Sequence, residues 1–531
     1  VYGIETASMH YFKKHAKELS LPEAATLAGI IQIPNYLNPL KHPERAIKRR
    51  NLVLKRMLEE SKINEEQYKV AISASLVSER APVKNDPADY FLEHIRLQLE
   101  RKYGTQILFE GGLKIYTTMD YDLTQYADSV MNEYLTKTEN EKNYTHKYSD
   151  YSPTEDDIET PYLQGGLISM EAETGEVLAM LGGRNYNHSK FNRMILARRS
   201  PGSSIKPILY TAAVEKGYTP ATIINDAPTK CILMSGEEWR PHNYRRERYY
   251  GYCTMRDAIA NSHNVWAVKA LYDIGADNFA QMALRFGLTS GRHANLSSAL
   301  GTTEVKPIDL ISSYTTFPNN GWRVIPKFII RVEDKDGVVL EEMKVDKIDV
   351  CNPEVAYIMT SMLESVVNKG SGWMAKQNGM DFPVAGKTGT TDNYKDAWFI
   401  GFNKRIVTGV WVGFDSNISM GRNMSGGVVC APPWSKVMLK TIINENRGVK
   451  PNKNDARYKF AIPQNIVKVP INPITGFLAY NEKNAVDEIF IDGTEPKVFI
   501  DTSMYNFFPT QYEMSADSVF VLQEKALNRY R

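Results

Sequence analysis

The sequence predicts a multidomain chain: an α-helical first region, then an α+β domain in which a sheet is packed by helices. Three observations carry this. Residues up to about 80 hold helix caps and apolar side chains at helical spacing, with no strand-like alternation. Gly166–Glu171 and Glu176–Met180 flank Ala172-Glu173-Thr174-Gly175, a hairpin signal with glycine at the turn. Three further strand patterns, near 383–390, 395–402 and 406–414, precede a closing helix around 433–444. The implied division is 1–82, a linker region 83–160, the α+β domain 161–447, and a C-terminal tail 448–531 that stays unassigned.

In chain order, Ser20-Leu21-Pro22-Glu23 is a capping box that opens the run Ala24–Ile31. Pro34, Pro39 and Pro43 punctuate a loop, and Glu44–Glu60 then carries Ala46, Leu52, Val53, Met57 and Leu58 at mostly helical spacing. Asn64 with Gln67 caps a short helix. From Pro82 to Pro87 the composition turns polar, which marks a boundary. Asp89–Tyr103 reads as an amphipathic helix, Leu113–Thr118 as a strand, and Asp120 as the cap of a helix Leu123–Leu135. Residues 137–160 hold little that is apolar except tyrosines, the composition of a linker or mobile loop. Within the α+β domain, helices are expected near 204–217, 255–261, 265–274 and 276–286. A second hairpin brackets Asp334-Lys335-Asp336-Gly337, and a long helix runs from Pro353 to about Val367.

Composition excludes several classes. The 531 residues are 43% hydrophobic, ordinary for a globular chain and too apolar for a disordered one. Lys+Arg 64 against Asp+Glu 62 leaves a net charge of +2, so no basic field recruits nucleic acid. No run of 18 apolar residues is present. Cys231, Cys253, Cys351 and Cys430 lie too far apart for metal or redox spacing and read as small buried side chains, although a Cys231–Cys253 bridge is conceivable. The nine histidines form no HxH or HxxxH pair, so neither a metal nor another cofactor is expected.

One constellation carries chemistry. Ser203-Ser204-Ile205-Lys206 is the single Ser-x-x-Lys, Ser262-His263-Asn264 the single Ser-x-Asn, and Lys387-Thr388-Gly389-Thr390 the single Lys-Ser/Thr-Gly. Ser203 follows a Pro201-Gly202 turn and opens an apolar helical run, so a spacing of three sets Lys206 on its face. A serine hydroxyl attacks well once a base takes its proton. Lysine is that base only when neutral, which burial and a second cation such as Lys387 favour. Ser262 and Asn264 fall at an interhelix turn able to aim two polar side chains into a cleft. Lys387–Thr390 lies on a strand, where Gly389 leaves room for an extended substrate at the edge. Alternation sets Thr388 and Thr390 on one face and Lys387 on the other, so edge geometry decides which reaches the site.

These residues resemble the penicillin-binding transpeptidases, whose three motifs they match position by position. The surroundings Arg199–Pro207, Gly386–Asp392 and Asp396–Gly401 look like the class A, bifunctional branch. Tyr2-Gly3-Ile4-Glu5, Tyr11-Phe12, Glu23–Gly29 and Arg49–Leu54 resemble the C-terminal part of the family 51 peptidoglycan glycosyltransferases, a lysozyme-like helical fold. The resemblance places that family's catalytic glutamates and membrane helix upstream of Val1. Glu5 and Glu23 are then expected in helix capping and packing, Arg49 and Arg50 match the last glycosyltransferase motif, and glycan polymerisation is not expected of this chain.

The resemblance implies D,D-transpeptidation in the bacterial cell envelope, on the outer face of the cytoplasmic membrane. Ser203 would attack the carbonyl between the terminal D-alanines of a peptidoglycan stem peptide, with Lys206 as general base and Ser262 as proton shuttle. Asn264 would hold the peptide, Lys387 supply positive potential, and Thr388 or Thr390 bind the substrate carboxylate beside Gly389. Backbone N–H groups of Ser203 and Thr390 would form the oxyanion hole, and β-lactams would acylate Ser203. Expected partners are stem peptides, β-lactams, the membrane through an anchor outside this chain, and other cell-wall synthesis proteins. A D,D-carboxypeptidase, a serine β-lactamase and a non-catalytic β-lactam sensor or scaffold remain open as alternatives.

Overall fold

Capping chemistry sets the helices of the first region. The computed structural model describes residues 3–76, 85–153, 159–233, 236–246, 248–289, 294–451, 454–479, 484–498 and 520–523. It divides into two units, Val1–Asp86 and Pro87–Arg531. Residues 77–84, where the expected boundary at 82 falls, lie outside the described residues. In the first unit, helices Ile4–Phe12, Leu21–Ile30, Pro43–Glu59 and Glu65–Ser73 surround two small apolar clusters. One centres on Phe12, Leu27 and Ile30, the other on Leu54, Ile63 and Ala71. The Glu23 carboxylate accepts the Ser20 backbone N–H at 2.8 Å and pairs with Lys14. Glu5 accepts the Ala16 N–H at 2.9 Å. Arg50 donates to the carbonyls of Ile72 and Ala74, the free acceptors at the end of Glu65–Ser73. Among the described residues, no helix is long and apolar enough to cross a membrane.

The second unit is built on five antiparallel strands: β1 Gln164–Glu171, β2 Val177–Leu181, β3 Ala385–Thr390, β4 Asp396–Phe402 and β5 Ile406–Gly413. Their order is β3-β4-β5-β1-β2, which leaves β3 at an edge. Strand alternation feeds two cores. Ile168, Met170, Ile400, Phe402 and Trp411 pack with Ile208, Leu209 and Met359 of helices Lys206–Glu215 and Pro353–Asn368. Leu167, Phe399, Val410 and Val412 pack on the opposite side with Leu123, Met131, Trp434 and Met438 of helices Tyr121–Lys142 and Ala431–Glu445. A sheet covered on both faces explains why β2, β4 and β5 read as near-continuous apolar runs. Helices Met255–Asn261, Asn264–Ile274 and Ala276–Arg285 fall where spacing predicts them, and Ile329–Glu333 with Val339–Glu342 forms the second hairpin.

Residues 83–160 differ from the expected linker region. From Pro87 on they belong to the second unit: Asp89–Glu110 is helical with a break at Gly104, and Lys114–Thr117 pairs with Ile329–Glu333. Helix Tyr121–Lys142 runs two turns past the expected end at Leu135. Polar contacts hold those turns, which is why apolar periodicity missed them. Glu139 makes a fully buried ion pair with Arg184 at 2.7 Å, and the Tyr148 ring lies 4.4 Å from that guanidinium. In the unassigned tail, Ile466–Ile471 and Val486–Ile491 form a hairpin that Glu488 ties to Arg256 at 2.6 Å. No disulfide joins Cys231 and Cys253 among the described residues.

Candidate active site

Ser203 sits where the chain turns against the end of β3. Gly202 has φ +53, and a Cβ there would stand 2.7 Å from the Thr390 carbonyl oxygen and 3.0 Å from the Thr390 nitrogen. Glycine therefore admits both the left-handed backbone and the close approach. Gly202–Ile205 forms a single 3-10 turn that runs into helix Lys206–Glu215. Residues three apart eclipse in such a turn, which brings Lys206 to the side of Ser203.

Lys206 is fully buried, and its Nζ donates to the carbonyls of Ser262 at 2.9 Å and His263 at 3.1 Å and to Asn264 Oδ1 at 2.7 Å. Burial first, then the Lys387 charge, push its pKa well below the ordinary lysine value, and Asp226 opposes them. Lys387 is equally buried, and burial takes it down to about 7. Its Nζ donates to Ser262 Oγ at 2.9 Å, while Lys206 Nζ lies 3.4 Å from the same hydroxyl. Ser262 thus stands between two ammonium-capable groups. It ends helix Met255–Asn261 in a left-handed conformation, φ 62 and ψ 42, which costs a non-glycine residue roughly 1 kcal/mol.

Both faces of β3 reach the site, because β3 is the edge strand and Lys387 Nζ turns round it to the Thr388 carbonyl at 3.1 Å. Thr388 Oγ1 lies 2.8 Å from Ser371 Oγ, and Thr390 Oγ1 accepts the Gly426 N–H at 3.1 Å. Gly389 does something other than expected. A Cβ on it would meet the Pro201 carbonyl oxygen at 2.5 Å and Ser204 Oγ at 3.1 Å. On that face of the strand the space it leaves is taken by the Ser203 turn. Ser203, Lys206, Ser262, Asn264, Lys387, Thr388 and Thr390 are thereby gathered in one cleft.

Two cavities, of about 290 and 200 Å³, share Ser203, Asn264 and Thr390. One extends past Gly301 and Asp392, the other past Ser371 and Ser425. Tyr394 donates its O–H to Tyr244 Oη at 2.9 Å beside them. Ser371, Ser425, Gly426 and Tyr244 carry no motif; the small-residue loop Gly370-Ser371-Gly372 is the one sequence signal, and it looks like a plain helix stop.

Chemically, the cleft offers a hydroxyl on a glycine-backed turn, a lysine driven toward its neutral form, and a second hydroxyl bridging to another lysine. That set suits nucleophilic acyl transfer with proton movement along Lys206 and Ser262.

The penicillin binding protein transpeptidase domain matches residues 165–428, and a transglycosylase family matches residues 1–58. Penicillin-binding protein 1A of Aquifex aeolicus (strain VF5) is 37% identical over 94% of this chain and 75% of its own length. Penicillin-binding protein 1A of Neisseria meningitidis (serogroup A, strain Z2491) is 33% identical over 82% of this chain, which spans 66% of that relative. Among solved structures, penicillin-binding protein 1A from Haemophilus influenzae superposes with a TM-score of 0.75 at 26% identity, covering 94% of this chain and 90% of that one. PonA1 from Mycobacterium tuberculosis in complex with penicillin V shares the fold, with a TM-score of 0.57 at 21% identity over 71% of this chain and 98–99% of the two PonA1 chains compared.

Proposed function

The chain belongs to the class A penicillin-binding proteins, and we propose that it is a serine D,D-transpeptidase that cross-links peptidoglycan stem peptides in the cell envelope. The observation that carries this reading is Ser262 Oγ held between Lys206 and Lys387 in a cleft that opens on both sides of Ser203. A transpeptidase needs room for two peptides at one serine, a donor and then an acceptor.

In the first step Ser203 Oγ bonds to the carbonyl carbon between the terminal D-alanines, and its proton passes to neutral Lys206. The developing oxyanion accepts hydrogen bonds from the N–H groups of Ser203 and Thr390, which the Gly202 approach brings close. When the C–N bond breaks, the proton moves through Ser262 to the leaving amine, and free D-alanine departs. The acyl ester is then attacked by an amine of a second stem peptide, which gives its proton to Lys206, and Lys206 returns a proton to Ser203 Oγ as the ester bond breaks. Lys387 with Thr388 and Thr390 takes the substrate carboxylate, and Asn264 takes the peptide backbone. A β-lactam carbonyl enters at the first step and stays on Ser203. Glu5, Glu23, Arg49 and Arg50 serve the helices that carry them.

The test is covalent. Fluorescent penicillin followed by peptide mapping is expected to place one adduct on Ser203 and none on Ser203→Ala. An adduct that persists in that variant overturns the mechanism. Donor pentapeptide incubated with an amine acceptor is expected to yield cross-linked product; release of D-alanine without cross-link would assign a carboxypeptidase instead.

A further inference from the structure

The Ser-x-Asn turn is held from behind by a segment to which no motif belongs. Asn243 is 2% exposed, and its Oδ1 accepts the backbone N–H of Asn264 at 2.7 Å and that of Val265 at 3.4 Å. These are free donors at the start of helix Asn264–Ile274, whose N-cap, His263, supplies no side-chain cap. Asn243 Nδ2 donates to Asp226 Oδ1 at 2.7 Å and to the Arg248 carbonyl at 3.1 Å. Asp226 is fully buried, so this amide cannot rotate without facing its own oxygen toward a carboxylate. The preceding residue completes the clamp: the His242 carbonyl accepts Asn264 Nδ2 at 3.0 Å, which leaves Asn264 Oδ1 directed at Lys206 Nζ.

We propose that Asn243, oriented by Asp226, is a positioning residue for acylation: it fixes Asn264 and through it the Lys206 amine beside Ser203. The inference rests on the reading of Ser203 as the acylated serine. It deepens that reading by adding a relay from strand Ile223–Asp226 to the base, Asp226 to Asn243 to Asn264 to Lys206. Asp226 contributes geometry here more than charge. Its Oδ1 receives both Asn243 Nδ2 and the Tyr250 N–H at 3.4 Å, while its Oδ2 has no hydrogen-bond partner among the described residues. Asparagine at 226 can therefore keep Oδ1 in place and turn its amide toward the unpartnered side, where His263 Nδ1 lies 3.9 Å from Oδ2. Alanine at 226 cannot.

The experiment measures penicillin acylation of the whole chain under saturation, which separates the acylation rate constant from the half-saturating concentration. Asn243→Ala is expected to lose about tenfold or more in the rate constant, because a buried N–H is orphaned and Asn264 is freed. Half-saturation is expected to move little, and the melting temperature to fall by a few degrees as the buried groups lose their partners. Asp226→Ala is expected to follow Asn243→Ala, and Asp226→Asn to stay within about threefold of the parent rate, since its hydrogen bond is retained. A folded Asn243→Ala that acylates at the parent rate, or whose loss lies wholly in half-saturation, overturns the proposal. If Asn243→Ala does not fold, equal rates for Asp226→Ala and Asp226→Asn overturn it. A parent adduct found away from Ser203 overturns this inference and the proposed function together, whereas a Ser203 adduct with unaffected variants overturns this inference alone.

Discussion

The helical first unit and the serine cleft of the second treat buried cations in opposite ways. In Val1–Asp86, Arg50 is buried, yet its guanidinium ends on the carbonyls that finish a helix, and Glu23 is engaged by Ser20 and Lys14. Each charge there meets a complementary end of secondary structure. In Pro87–Arg531, Lys206 and Lys387 are fully buried on either side of one hydroxyl, and among the described residues neither makes an ion pair. Burial of two like charges without a counter-ion works against the fold, since it drives at least one toward neutrality. The contrast teaches how to tell a motif that holds structure from one that holds chemistry: the first is satisfied, and the second is kept under electrostatic tension.

The largest effects should come from the tense pair. Lys206→Ala is expected to slow penicillin acylation by about a thousandfold or more, through loss of the general base, while the melting temperature holds or rises as an unfavourable buried amine is removed. A stopped-flow acylation rate near the parent's would break the comparison at its strongest point. The next effect is on pH dependence. Lys206 acts as a base only when deprotonated, so acylation should rise with pH through its lowered pKa. The Lys387 charge helps to lower that pKa. Lys387→Gln removes the charge and should move the rising limb to higher pH. A limb that stays in place would show that burial alone sets Lys206.

Smaller effects belong to the satisfied charges. Arg50→Ala leaves two helix-end carbonyls without a donor and should destabilise its unit by about 2 kcal/mol. Hydrogen exchange within residues 65–73 would register this, with Ser203 labelling unchanged. Glu23→Gln weakens a half-exposed pairing with Lys14 and should cost under about 1 kcal/mol, read by exchange at the start of helix Leu21–Ile30. A loss of penicillin labelling in either variant would blur the distinction between the units.

Much of this was legible in the chain. The strands near 395–402 and 406–414 lie within one residue of β4 and β5 because a sheet buried on both faces writes itself as apolar runs, and the strand near 383–390 lies within two residues of β3. The motif serine, lysine and asparagine were legible because each is a rare residue combination in a fitting local context. The last turns of helix Tyr121–Lys142 and their place in the second unit were not, since Glu139, Arg184 and Tyr148 build a core from polar and aromatic groups that periodicity does not score. Asn243 and Asp226 were not either: each is an ordinary turn or strand-end residue until the fold sets them 2.7 Å apart.

The sequence by itself determined the element types, their order, and the three sets of reacting groups, because hydrophobic period and motif spacing are local properties. Tertiary structure alone decided that Gly389 makes room for the Ser203 turn, that Lys387 joins Thr388 and Thr390 despite strand alternation, and that Asn243 stands behind Asn264. These depend on which segments far apart in sequence come within a few ångströms, and desolvation and hydrogen-bond geometry act only at that range.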